Sequence, residues 1–322
     1  MRTDSDSINT PEWGGHGAGG HVPVLLKETI DFLAVKRGGT YLDATVGLGG
    51  HSYEIARRLG APGHLIGFDK DAAALEIAAV SLQPSAVREV AGERGADDDE
   101  RNWPQITLIH GSFADVGLRV APASLDGLLA DLGVSSLQLS DPARGFSFQA
   151  EGPLDMRMNR MSGETAEQVV NHIDERELAD VIYEFGEERR SRRIARAIVR
   201  SRPIRTTTQL VEVVAAAARS MKHERIHPAT RTFQALRIFV NHELDDLKAL
   251  LEAAPRVLKP GGRLVVISFH SLEDRIVKDA LREGAKQGWW LVLTKKPVTA
   301  GAEEIERNPR SRSAKMRAAE KV

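Results

Sequence analysis

The stretch Thr40 to Ser52, TYLDATVGLGGHS, limits what this chain can fold into more than any other. Tyr41, Leu42, Ala44 and Val46 surround a single acid, Asp43. Gly47, Gly49 and Gly50 then break the pattern, and an amphipathic run follows from Ser52 to Leu59. That order reads as strand, glycine turn, helix. Glycines at such a hand-over accept positive φ and let a ligand approach the main chain. In open α/β sheets, ligands sit at the carboxyl ends of the strands.

The same alternation continues downstream. HLIGFD ends on Asp69, 22 positions beyond Gly47, and an acid about 20 residues after the glycine turn reaches ribose hydroxyls because the second strand lies beside the first. Ile106 to His110 reads as a third strand, and LDGLLAD, Leu125 to Asp131, as a fourth that again ends on an acid. Repeated strand and helix predict a doubly wound α/β domain, a Rossmann-like parallel sheet. Ahead of it, Met1 to Gly20 is a polar, glycine-rich tail expected to be disordered. HVPVLLKETIDFL forms a helix with Pro23 in its first turn.

From Asp141 to Pro228 the strands stop. Leu178, Ile182 and Phe185, then Ile194 and Ile198, then Leu210, Val213 and Val214 recur at helical spacing, with Thr165/Gln168 and Thr206/Gln209 placed as capping boxes. This segment, 141–228, is an all-helical insertion between a first part of the sheet domain, 21–140, and a second part, 229–322. Within it, GEERRSRRIARAIVRSRPIR carries eight arginines against two glutamates. It reads either as a solvated face or as a phosphate-contacting surface. Thr230 to Ala253 is expected as one amphipathic helix stopped by Pro255. RLVVISF is a fifth strand, HSLEDRIVKDALRE a helix, and WWLVLT with RSRSAKMRAAEK a closing pair of strands. The acidic run from Gln83 to Pro104 is a solvated loop.

Composition narrows the chemistry. A formal net charge of −1 argues against bulk attraction to nucleic acid, so such a partner must meet a local basic surface. No leader and no apolar run of about 18 residues is present, so the cytoplasm is expected and no membrane. The chain has no cysteine, which removes thiol nucleophiles and iron–sulfur clusters, and no cluster at metal-ligand spacing appears. For the glycine turn, Ser52 stands where a dinucleotide site would carry its third glycine, and a P-loop lysine is missing. A nucleoside ligand without pyrophosphate remains, of which S-adenosylmethionine is the common one. Asp43 would suit its sulfonium and repel phosphate.

Taken together, HVPVLLKETI, DATVGLGGHS, IGFDKD, LADLGVSSLQL, RGFSF, GPLDMRM, GEERRSRRIARAI, HPATRTFQALRI, the Val240, Asn241, Glu243, Leu244 set and VISFHSLEDRIVK resemble the bacterial family of ribosomal RNA small subunit methyltransferase H. The resemblance runs from His21 to about Lys278, with a weaker echo in NPRSRSAKMR. It implies a class I methyltransferase sheet that uses S-adenosylmethionine to methylate the exocyclic 4-amino group of a cytidine in the decoding region of small-subunit ribosomal RNA. It also implies cofactor contacts from Gly49, Gly50, His51, Asp69, Phe113, Asp131 and Gln138, to which the residue reading adds Asp43 and Gly47. His51 is expected to be held by its backbone at the helix start rather than to act as a base.

An absent thiol agrees with a heteroatom target, because methylating a pyrimidine ring carbon generally requires a covalent thiolate adduct. Asp131 is the candidate for orienting the amine. ADLGVSS lacks the Asn/Asp-Pro-Pro-aromatic motif that DNA amino-methyltransferases place there, so the proton acceptor stays open, with His270 as a second candidate. Arg144, Arg157, Arg231 and Arg237 flank the junction of sheet and insertion and are candidate phosphate contacts. The expected partner is small-subunit ribosomal RNA or the assembled small subunit, and a homodimer is left open. A noncatalytic RNA-binding factor and a nicotinamide-dependent oxidoreductase are the competing readings.

Overall fold

The computed structural model describes residues 22–83, 102–218 and 227–322. The tail 1–20 and most of the acidic run between Gln83 and Pro104 lie outside them. Helix α1, Leu26–Leu33, precedes strand β1, Thr40–Asp43. Helix α2, Gly50–Leu59, strand β2, His64–Asp69, helix α3, Ala72–Ser81, and strand β3, Gln105–His110, follow. A short α4, Val116–Arg119, leads to β4, Leu125–Asp131, and α5, Ser136–Ser140.

Four helices then succeed one another without a strand: α6, Ala166–His172, α7, Glu175–Gly186, α8, Ser191–Arg200, and α9, Thr207–Ala217. Both expected capping boxes close, with Thr165 accepting from the Gln168 amide and Thr206 from the Gln209 amide. Such caps satisfy amides that a helix start would leave orphaned.

Helix α10, Ala229–Asn241, and α11, Glu243–Val257, return the chain to strand β5, Leu258–Ser268. Helix α12, Ser271–Lys286, β6, Trp290–Val292, α13, Ala302–Arg307, and β7, Lys315–Lys321, complete it.

The sheet has seven strands in the order β3-β2-β1-β4-β5-β7-β6. β1 to β5 pair in parallel, whereas β7 runs antiparallel to both β5 and β6. Because strand side chains alternate between faces, Leu128 and Ala130 of β4 join one core with Leu247 and Leu251 of α11. Leu129 joins the other, with Ile30 of α1 and Ile55 of α2. The order reverses between β1 and β4, and that switch point opens a crevice at the carboxyl edge.

Two expectations are corrected. The single helix across Thr230 to Ala253 is broken at His242, whose φ is 52°, while Asn241 turns inward: its Nδ2 donates to the Met156 carbonyl at 2.7 Å and its Oδ1 accepts from the Met158 amide at 2.7 Å. Pro255 lies inside α11 and the helix runs on to Val257. In addition, Phe233, Leu236 and Val240 of α10 are buried with Phe146, Leu178 and Ile194 in the helical unit's own core. That core therefore extends past residue 228.

Candidate active site

A cavity of about 320 Å³ opens at the carboxyl ends of β1, β2, β4 and β5. The glycine turn forms its floor. Gly49 caps α2 at φ 90°, a conformation that a side chain would strain. A Cβ on Gly50 would fall 2.5 Å from Pro23 Cγ, so this position must stay bare for the amino-terminal segment to cross it. Gly47, Gly50 and His51 line the cavity, as do Asp69, Phe113, Asp131 and Gln138. These residues come from five separate segments, and the topology alone brings them together.

Asp69 is held at the mouth of β2: Oδ2 accepts the Gly47 amide at 2.8 Å and Oδ1 the Asp71 amide at 2.8 Å. Burial pushes its carboxyl up, and those two donors hold the rise to about 6. Asp131 sits at the end of β4. Burial, then the charges of Asp43 and Glu273, raise it well above the usual carboxylate range. Its Oδ1 is buried with no hydrogen-bond partner, and its Oδ2 lies 3.6 Å from His51 Nδ1. A buried polar atom without a partner is costly unless a ligand satisfies it. Gln138 is buried; its Oε1 accepts the Ser135 amide at 3.0 Å and its Nε2 donates to Asp71 Oδ2 at 2.9 Å.

Other expected residues stand elsewhere. Asp43 does not line the cavity; buried at the end of β1, it accepts from Ser52 Oγ at 2.6 Å and the Thr45 amide at 3.0 Å, and it contributes charge to Asp131 rather than contact. Gly49 packs against Ala78 and Leu82. The side chain of His51 is not idle at the helix start: Nε2 meets the Val24 carbonyl at 3.0 Å, and Nδ1 faces Asp131. His270 is absent from the cavity wall and accepts the Glu273 amide as the cap of α12, so capping rather than proton acceptance explains its placement.

Of the four arginines, only Arg237 lines the cavity, and it forks onto Glu243 with two contacts of 2.8 Å. Arg144 is a correction: it is buried, donates to Asp71 Oδ2 at 2.6 Å and to the Arg157 and Met158 carbonyls, and so ties the helical unit to α3 instead of presenting itself to a phosphate. Arg157 grips Asp155 at 2.7 Å, and Arg231 lies 3.5 Å from Glu188.

Lys70, Glu243, Asp246, Glu273 and Arg310 also line the cavity. Lys70 pairs with Asp246 at 2.5 Å. Although burial works to raise it, Glu273 is held low by the adjoining His270 and then by Arg237. Partial burial pulls the Arg310 guanidinium below the usual arginine range. Sequence spacing marks none of these, though IGFDKD, the Glu243 block and NPRSRSAKMR contain three of them.

A seven-stranded sheet of this order, with a glycine turn and an acid at the next strand end, defines an S-adenosylmethionine-dependent methyltransferase. The cavity suits that donor: Asp69 offers carboxylate oxygens where a ribose would lie, the glycine turn offers bare main chain, and Lys70 and Arg237 are already neutralised. The chain belongs to the MraW methylase family, whose pattern matches residues 18–322. Proteins described as ribosomal RNA small subunit methyltransferase H are similar to it over nearly the whole length. That of Koribacter versatilis is 69% identical, covering 93% of each chain. Those of Acidobacterium capsulatum and Sorangium cellulosum are 64% and 51% identical, covering 94% of this chain and 98% and 91% of theirs.

Proposed function

We propose that this methyltransferase acts on the exocyclic 4-amino group of a cytidine in the decoding region of bacterial small-subunit ribosomal RNA. The relatives named for small-subunit RNA support the substrate. One observation carries the chemistry: the buried Asp131 Oδ1, without a partner, at the lip of β4. An amine N–H is what such an oxygen accepts. With no cysteine in the chain, a ring carbon lacks the thiolate its methylation needs.

When bound, S-adenosylmethionine supplies an activated methyl group. The residues do the rest by position. The Gly47 to His51 main chain and Asp69 hold the nucleoside end, with Phe113 beside them to cover the adenine face. Gln138, locked by Ser135 and Asp71, keeps the loop after β4 in place. Asp131 orients the amine.

A cytidine must leave its stack to reach this floor. We assign recognition of the flanking RNA to the helical unit, where Arg189, Arg192, Arg193, Arg196 and Arg200 are exposed while Ile194, Ala195 and Ile198 face inward. The turn before α8 is tied to the cavity's rim, since Arg275 pairs with Glu187 at 3.1 Å and Ser271 donates to Glu187. No described helix is long and apolar enough to cross a membrane, and with ribosomal RNA as the proposed substrate we assign the protein to the cytoplasm.

Nucleoside mass spectrometry of small-subunit RNA from a deletion strain tests the proposal. Loss of one methyl on a cytidine is expected, and an unchanged profile overturns it.

A further inference from the structure

We propose that Asp131 and His51 form a two-residue proton relay: the amine proton enters at Asp131 Oδ1 while the proton on Oδ2 passes to His51 Nδ1. The inference rests on the amine methylation proposed above and adds His51 as a positioning residue that acts through Asp131.

The tautomer follows from one contact. His51 Nε2 lies 3.0 Å from the Val24 carbonyl. A carbonyl only accepts, so Nε2 carries the hydrogen and Nδ1 of the neutral ring offers a lone pair. That lone pair faces Asp131 Oδ2 at 3.6 Å, slightly longer than a hydrogen bond, as catalytic contacts often are before substrate binds. Two lone pairs do not face each other inside a protein without a proton between them. The pair therefore holds one.

The surroundings say where it rests. Burial, and after it the charges of Asp43 from β1 and Glu273 from α12, favours the neutral acid at Asp131. Alone, a protonated carboxyl cannot serve as a base. With His51 behind it, the same carboxyl accepts on one oxygen and releases from the other.

The step balances. The amine lone pair forms the new N–C bond, and the methyl carbon leaves sulfur with the bonding pair staying on sulfur. The N–H proton goes to Oδ1, and the Oδ2 proton to Nδ1. After the product leaves, the proton returns through Asp131 to water.

The test has two arms, both on the full chain. Nitrogen-15 NMR of the donor-free protein should show His51 as the Nε2–H tautomer, with a signal that moves in Asp131→Asn. An Nδ1–H tautomer, or a signal blind to Asp131→Asn, overturns the relay. In the second arm, His51→Gln keeps a donor for the Val24 carbonyl, and His51→Asn keeps a polar partner for Asp131, yet neither can hold a proton. Both should lower kcat about 10²-fold, leave KM for the donor within about threefold, and flatten the rise of kcat with pH in the imidazole range, where the wild type needs His51 neutral. Unchanged kcat, or a retained pH limb, overturns it. If the wild type transfers no methyl to RNA, the parent proposal falls, and the NMR arm still judges the pair.

Discussion

The two walls of the cavity are built on opposite terms. The sheet wall presents acceptors whose burial raises them, Asp69 to about 6 and Asp131 well above the usual carboxylate range, with one Asp131 oxygen lacking a partner. Two of the cations lining the cavity are already answered by acids from α11, Arg237 by Glu243 and Lys70 by Asp246, while Arg310 is lowered by partial burial. Unanswered cations there would draw in the phosphate of any nucleotide. Neutralised, they leave selection to shape and to the acceptors opposite. Exposed positive charge is instead displayed outside, on α8. The sheet wall is thus equipped for the donor and the chemistry, and the helical side for the polymer.

Breaking the link between the walls should have the largest effect. Arg144 is buried against Asp71, and Arg144→Ala leaves that buried carboxylate without its cation, with only Gln138 and the Ala73 amide donating to it, costing about 3 kcal/mol in urea unfolding. A cost under about 1 kcal/mol would mean the walls are not coupled there. Next, Asp69→Ala removes charged hydrogen bonds worth about 2 kcal/mol, so calorimetry should show donor affinity falling about 30-fold with RNA affinity unchanged.

A smaller effect comes from pH. Asp69 must be ionised to accept from a ribose, and its folded carboxyl titrates at about 6, so donor affinity should hold above that pH and weaken roughly tenfold per unit below it. Asp69→Asn should remove the dependence. Stability moves the other way: a carboxyl raised by folding contributes most when protonated, so this contribution is present below the unfolded value near 4 and is lost as pH rises through about 6. Smallest, each charge-removing change at Arg192 or Arg193 should lower the slope of log affinity against log salt by about 0.7 for single-stranded RNA, with kcat intact.

What the sequence disclosed follows the same division. The glycine turn, Asp69 and Asp131 are legible because strand ends and spacing are local, and both capping boxes are legible because three residues suffice to write them. Arg144 was readable as basic but not as buried, since its partner Asp71 is 73 positions away. The break at His242 carries no glycine or proline; it is imposed by Asn241 reaching Met156 and Met158, 85 and 83 positions distant. Asp43 marked the right strand but not the direction of its carboxylate, which turns to Ser52 and Thr45, because pattern places an acid at a strand end without saying which way it faces. His51 likewise gave its place on α2 but not its contact with Asp131, which depends on the register of β4.

The most direct test of the division is labelled-methyl transfer to purified small subunits by wild type and by Asp131→Ala, with donor binding measured alongside. The wild type should label a cytidine amine, and the variant should lose at least about 10³-fold in rate while binding donor within about tenfold. A variant that still transfers at near the wild-type rate would contradict the account.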